Sequence, residues 1–170
     1  MKTGVIVVDL EKCIACKSCE IACAVAHSRS KNLEEALLEE PKPEPRVVVE
    51  DAGDLAVPMQ CRHCEDAPCV AICPAEAISQ GDADGPVIID AEKCKGCKMC
   101  VFVCPFGAVR MSGDGKLAVK CDLCIERLER DELPACVVAC PTGALRFESS
   151  PEAIEQKRVA TAELICAGAA

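Results

Sequence analysis

Sixteen of the seventeen cysteines in this 170-residue chain fall into four groups of four, and no other feature restricts its fold as tightly. The groups are Cys13, Cys16, Cys19, Cys23; Cys61, Cys64, Cys69, Cys73; Cys94, Cys97, Cys100, Cys104; and Cys121, Cys124, Cys136, Cys140. The first and third read C-x2-C-x2-C-x3-C, a spacing that places three thiolates around one iron–sulfur cube and sends the fourth to a neighbouring cube. The second and fourth are the same device with a longer gap before the third cysteine. Cys73, Cys104 and Cys140 are each followed by proline (Pro74, Pro105, Pro141), completing the C-P ending of the run. Four such runs imply four [4Fe-4S] clusters.

The spacing has a physical cause. A cubane presents four iron corners, each needing one soft thiolate, and three cysteines two residues apart form a loop whose sulfurs converge while its N–H groups face the cluster. Small residues such as Ala15 and Gly96 let that backbone approach closely. The fourth cysteine, three residues on, is expected where a short helix begins, facing away from its own loop and therefore ligating a second cluster.

Other cysteine chemistries fit less well. Structural zinc uses four ligands in two separated pairs and has no use for a third cysteine after two residues or for the recurring x3-C-P. The opening MKTGVIVVDLEKC lacks the apolar stretch and cleavage site of a secretory signal, so nothing points to an oxidising compartment, and a cytoplasmic location with reduced thiols is expected. Covalent haem requires C-x-x-C-H, and no C-x-x-C here is followed by histidine.

Composition supports a metal-built core. There is no Trp or Tyr and only three Phe (Phe102, Phe106, Phe147), so clusters must replace much of a conventional core, and removing iron is expected to unfold the chain. The formal charge is -9, and four oxidised cubes with their thiolates would take it to roughly -17. Such a field makes nucleic acid an unfavourable partner and opposes added electrons, which favours low reduction potentials. No apolar stretch approaches the roughly 20 residues of a membrane span, so direct membrane insertion is not expected.

Around each motif the chain repeats a short strand, a cysteine loop, a short helix, a turn and a strand. V-I-V-V-D-L-E-K-C before the first loop is echoed by V-I-I-D-A-E-K-C before the third, and A-I-S, A-V-R-M and A-L-R-F follow the helices from Ala77, Ala108 and Ala144. Residues 116–120 supply a further strand. This self-similarity marks an internal duplication. The fold class expected is α+β: two pseudo-symmetric ferredoxin-like units with short β-hairpins and short helices around four clusters. Between the first two motifs, KNLEEALLEE at 31–40 is helix-forming, with Leu33, Ala36 and Leu37 on one side, and stops at P-K-P-E-P. A strand is expected over 46–50. The insertion reads as a wrapping for the cluster core or as a docking surface. In the fourth motif eleven residues separate Cys124 from Cys136, with Glu126 and Arg130 spaced as an i,i+4 pair on a solvated face.

The most specific stretches are C-R-H-C-E-D-A-P-C-V-A-I-C-P from Cys61, C-K-G-C-K-M-C-V-F-V-C-P-F-G-A from Cys94 and K-C-D-L-C-I-E-R from Lys120. On these the chain resembles the four-cluster iron–sulfur subunits of dimethyl sulfoxide reductase, formate dehydrogenase and formate hydrogenlyase, over residues 1 to about 150. It is similar also to the ferredoxin attached to carbon monoxide dehydrogenase and to the small subunits of tungsten aldehyde oxidoreductase and tungsten benzoyl-CoA reductase. The resemblance implies that the first motif pairs with the fourth and the second with the third. One cluster then takes Cys13, Cys16, Cys19 and Cys140, and its neighbour Cys121, Cys124, Cys136 and Cys23. A third takes Cys61, Cys64, Cys69 and Cys104, and the last Cys94, Cys97, Cys100 and Cys73. The implied units are 1–27 with 113–150 and 55–112, with 28–54 an insertion and 151–170 a tail. The long extra loops and membrane anchor of many respiratory members have no counterpart here, which speaks against a quinone-linked role.

Three residues stand outside the quartets. His63 lies inside a motif that already has four cysteines, so it reads as a tuning residue beside its cluster rather than a ligand. His27 reads as a surface or helix-end residue, and Cys166 as an inert thiol in the tail. No triad, phosphate loop or dinucleotide fingerprint remains once the cysteines are committed. The expected function is therefore a non-catalytic relay of single electrons between a large catalytic oxidoreductase subunit and a further redox partner such as a soluble ferredoxin or flavin subunit. A tungsten or molybdenum pterin enzyme is the leading partner, with carbon monoxide dehydrogenase, hydrogenase or formate dehydrogenase as alternatives. An iron–sulfur redox sensor is the competing class.

Overall fold

A computed structural model describes residues 4–81 and 85–149, together with 151, 154–155, 158–159, 161–163 and 166 of the tail. Within them the strands form four separate antiparallel pairs rather than one sheet. β1 (Val5–Val8) runs against β8 (Leu145–Glu148), with Val5 opposite Glu148 and Val8 opposite Leu145. This pairing brings the first and fourth cysteine motifs side by side although they are far apart in sequence. β4 (Ile78–Gln80) pairs with β5 (Val87–Ile89), and β6 (Arg110–Met111) with β7 (Ala118–Val119). β2 (Val48–Ala52) and β3 (Leu55–Met59) close a hairpin over Gly53, whose φ of +77° suits glycine.

The helices are short: α1 (Ser18–Ala26), α2 (Leu33–Ala36), α3 (Pro68–Ala71), α4 (Met99–Val103), α5 (Ile125–Glu129) and α6 (Ala135–Val138). Most are a single turn, too short to persist alone, so packing must hold them. α1 packs on α6 and α3 on α4. One apolar cluster gathers Ile6, Val47, Val49, Leu123, Leu128 and Leu145 around Cys19, Cys23, Cys121 and Cys136. A second gathers Ala67, Ile78, Val87, Val109 and Ala118 around Cys69 and Cys100.

Several sequence expectations shift. The helices of the first and third motifs begin just before the third cysteine, because Lys17 (φ 59°) and Lys98 (φ 67°) turn the chain through the left-handed region immediately ahead of them. The fourth cysteine therefore lies inside α1 (Cys23) or caps the end of α4 (Cys104), one turn later than a helix start. The helix expected over 31–40 shrinks to α2, with the Asn32 side chain accepting from the N–H groups of Glu34 (2.9 Å) and Glu35 (3.3 Å). The strand expected over 46–50 lies two residues later. Glu126 does not close an ion pair on Arg130: it pairs with Lys31, and Arg130 pairs with Glu132 at 3.1 Å. From the 28–54 segment, Val47 is only 2% exposed within the first core.

Candidate metal centres

All four cysteine loops use the same backbone device. The second residue after the first cysteine has a left-handed φ in every case: Ala15 (56°), His63 (48°), Gly96 (64°) and Leu123 (59°). That turn folds the loop back so that successive sulfurs face one centre. At the other end of the motifs, the third residue after Cys73, Cys104 and Cys140 is again left-handed (Glu76, Gly107, Gly143). Each of these donates its N–H to the carbonyl of that cysteine at 3.2–3.3 Å. Proline after the cysteine ends the helix and permits this turn. Cys23, without a following proline, stays inside α1.

The fold brings cysteines of different motifs together. Cys61, Cys64, Cys69 and Cys104 line one hollow, and Cys73, Cys94, Cys97 and Cys100 line another. In the first core, Cys140 is an electrostatic neighbour of Cys16 and Cys19, and Cys23 of Cys121, Cys124 and Cys136. Two weaker electrostatic couplings link the sets: Cys136 with Cys19, and Cys100 with Cys69. Cys61 packs against the first core while lining a hollow of the second, so it stands at their seam. Of the sixteen, only Cys16 and Cys97 are exposed.

These surroundings suit a soft, positively charged metal group. Burial pushes the thiols of Cys19 and Cys124 up to about 11, and those of Cys121 and Cys136 higher still. Ionising them at neutral pH requires a cationic centre at the sulfurs. Backbone N–H groups already point at the sulfurs: Arg46 to Cys23 (3.2 Å), His63 to Cys61 (3.4 Å), Ala77 to Cys73 (3.3 Å), Ala108 to Cys104 (3.4 Å), Ala118 to Cys94 (3.5 Å) and Leu123 to Cys121 (3.4 Å). Such bonds stabilise negative charge on sulfur.

His63 has one ring nitrogen committed: Nδ1 accepts the N–H of Val87 at 3.0 Å. Burial, followed by the nearby Lys120 charge, takes its pKa down to about 3, so the ring is neutral with its proton on Nε2. That Nε2 is buried without a protein partner, the arrangement expected of a donor aimed at a group the polypeptide does not supply. Lys120, 4% exposed, donates to the carbonyls of Val87 and of Cys121 (3.0 Å) and has no carboxylate partner among the described residues. A buried ammonium without a counter-charge is costly. An anionic cluster beside it would offset that cost.

Sequence reasoning missed a charged network around Cys23. His27 caps α1, as expected, but is not a surface residue: Nδ1 bonds the Cys23 carbonyl at 2.8 Å and Nε2 donates to Asp122 at 3.0 Å. Burial opposes its charge, yet the bonds to Asp122 and Cys23 outweigh it and take the pKa up to about 9. Arg46 donates to the other Asp122 oxygen, and the Cys124 N–H donates to Asp122 at 2.9 Å. Asp122 is held below the carboxylate range: burial opposes ionisation, but His27 and Arg46 prevail. His27, Asp122 and Cys124 thus lie close together, with both His27 nitrogens already engaged. Cys166 is exposed.

Comparison with known proteins gives matches along the same segments. The 4Fe-4S dicluster domain matches residues 54–150, and a 4Fe-4S binding domain matches residues 10–26. An iron-sulfur protein of Rhodospirillum rubrum is 44% identical over 84% of this chain and 80% of its own length. The electron transport protein HydN of Escherichia coli strain K12 is 41% identical over 82% of this chain and 85% of its own. A tetrathionate reductase subunit of Salmonella typhimurium is 34% identical over 81% of this chain, which spans about half (54%) of that relative.

Proposed function

The chain belongs to the 4Fe-4S dicluster family, and from that premise we propose that it is the electron-transfer component of an oxidoreductase, relaying single electrons and performing no chemistry of its own. Its cofactors are [4Fe-4S] clusters, one for each cysteine quartet, and each supplies a one-electron carrier when bound. Similarity to electron transport and reductase-subunit proteins supports a catalytic partner subunit.

In this reading Cys13, Cys16, Cys19 and Cys140 hold the first centre, and Cys121, Cys124, Cys136 and Cys23 the second. Cys61, Cys64, Cys69 and Cys104 hold the third, and Cys94, Cys97, Cys100 and Cys73 the fourth. His63 donates from Nε2 toward the third centre. Residues 1–27 with 113–150, and 55–112, form two pseudo-symmetric ferredoxin-like units, with 28–54 an insertion and 151–170 a tail.

The observation that carries the proposal is the continuity of the thiol sets. Cys19 and Cys136 share the first core and couple electrostatically, Cys61 sits at the seam between cores, and Cys69 and Cys100 share the second core and couple likewise. That Cys16 and Cys97 alone of the sixteen are exposed supports a chain of sites whose two ends reach the surface. Four redox sites in a row with two open ends suit conduction. The catalytic partner best matching the sequence resemblance is a tungsten or molybdenum pterin enzyme, acting in the cytoplasm with a soluble ferredoxin or flavin protein as the further carrier. Among the described residues no helix is long and apolar enough to cross a membrane.

Anaerobic affinity purification from the native cell tests this. A co-purifying large subunit that contains pterin and reduces the clusters of this chain on addition of substrate is the expected result. A chain that leaves the cell fully loaded with iron yet attached to no oxidoreductase would favour a sensor.

A further inference from the structure

The two surface ends of the proposed wire occupy equivalent positions in the duplicated sequence but differ in charge. At one end Ile14, Ile21 and Val138 are 63%, 56% and 63% exposed near Cys16. There Lys12, paired with Asp9 at 2.8 Å, matches Lys93, exposed Lys17 matches Lys98, and Asp9 and Glu11 match Asp90 and Glu92, but Glu20 stands where the other end has Val101. At the other end Ile14 is replaced by Lys95. From Lys93 to Arg110 the chain carries four basic residues and no acidic one, within a protein of formal charge -9.

Exposed Cys97 lies between Lys95 and Lys98, both exposed. Neither lysine has an ion-pair partner among the described residues, whereas Lys93 is spent on Asp90 at 3.5 Å. Two apolar side chains of α4 follow Cys97 directly in the chain: Met99 (41% exposed) and Phe102 (85%). Phe102 stands one turn beyond Lys98, its N–H bonded to the Lys98 carbonyl at 3.4 Å. Phe102, one of the three aromatic residues in the chain, is thus bare on the helix that follows one terminal cysteine. A small apolar centre with a cationic rim matches the make-up of transient, electrostatically steered interfaces.

Resting on the relay reading above, we infer that the face around Cys97 is the docking site for a small acidic electron-carrier protein. Lys95 and Lys98 steer its carboxylates, and Met99 and Phe102 make the dry contact. The exchange balances as one electron: the centre held by Cys73, Cys94, Cys97 and Cys100 is oxidised by one electron as the carrier is reduced by one, or the reverse. No proton or bond is transferred.

The test uses the iron-loaded full chain, pre-reduced with dithionite and mixed in stopped flow with an acidic two-cluster ferredoxin as probe and with a basic cytochrome c as control. Lys95→Glu with Lys98→Glu is expected to slow ferredoxin reduction about tenfold or more at low salt. It should remove most of the salt dependence seen in the parent and speed the cytochrome reaction. Phe102→Ala should slow the ferredoxin reaction at every ionic strength, because its contribution is contact and not charge. Arg29→Glu with Lys42→Glu, an equal change of charge on the 28–54 segment, should leave the ferredoxin rate within about twofold, since steering acts through the local field. Equal slowing by both charge pairs, or a parent rate indifferent to salt, overturns the inference. Iron content, and reduction of all clusters by dithionite, are measured on every variant. Clusters that accept no electrons would overturn the relay reading itself, whereas reducible clusters with no effect at Lys95 and Lys98 would overturn only the docking site.

Discussion

Gly96→Ala separates two effects that the cysteine loops combine. Gly96 has a φ of +64°, and a Cβ built on it would lie 2.3 Å from the Lys116 carbonyl oxygen and 3.1 Å from its carbon. The left-handed conformation alone costs a non-glycine residue roughly 1–2 kcal/mol. That cost is tolerated elsewhere in this chain, since Ala15 holds the matching loop position at +56°. The clash is different, because the obstructing atoms are backbone. Relieving it means moving the 94–98 loop or the Lys116 turn by about 1 Å to reach ordinary van der Waals contact. This loop carries Cys94 and Cys97, and the Ala118 N–H bonded to Cys94 Sγ at 3.5 Å lies two residues from Lys116. We expect Gly96→Ala to lose stability by at least about 2 kcal/mol and to lose iron selectively. The purified variant should carry about four irons fewer than the parent. The converse change, Ala15→Gly, exchanges relieved strain for a more flexible unfolded chain, so stability should stay within about 1 kcal/mol. Iron analysis with denaturant unfolding under anaerobic conditions reads both. A Gly96→Ala protein with full iron and an unchanged midpoint would refute the reasoning.

Removing the anion of the Cys23 network by Asp122→Ala strands the His27 and Arg46 cations and the Cys124 N–H. With partly buried partners the loss in denaturant unfolding should be about 2–3 kcal/mol, and a change below about 0.5 kcal/mol would show the network to be incidental. Lys120→Met deletes a buried positive charge between the second and third centres; the midpoint of at least one cluster should fall by about 60 mV or more, read by potentiometric electron paramagnetic resonance, with Lys120→Arg recovering most of it. His63→Leu, which removes the Nε2 donor, should lower one midpoint and leave iron content intact, whereas loss of a whole cluster would make His63 structural. Stripping iron with an anaerobic chelator should remove most of the helical circular dichroism of the chain, because the nine residues of α1 and the four or five of α2 to α6 have too little apolar packing of their own.

The parts of this molecule that are legible in the sequence are local. C-x2-C-x2-C fixes a loop within seven residues, and the repeated V-I-V-V-D and V-I-I-D segments announce β1 and β5. What stays hidden depends on partners distant in the chain. Nothing around Arg46 signals that its N–H meets Cys23 Sγ while its side chain meets Asp122, 76 residues away. β3 is masked because Pro58 lies within it, and proline argues against a strand unless its missing N–H faces outside the ladder. Glu126 and Arg130 carry the i,i+4 pattern of a helix pair, but α5 ends at Glu129 and Lys31 reaches Glu126 from the other side. His63 stands out in the sequence for its position between two cysteines. That its Nε2 is left to donate becomes legible only when Val87 is seen to occupy Nδ1.

The measurement closest to the central claim is an anaerobic reductive titration of the reconstituted chain, with iron and acid-labile sulfide counted on the same sample. The account predicts about sixteen irons and sixteen sulfides per chain and up to four one-electron reductions, with magnetic coupling between neighbouring centres in the fully reduced spectrum. A chain that binds zinc instead, or that holds isolated clusters showing no interaction with one another, would contradict it.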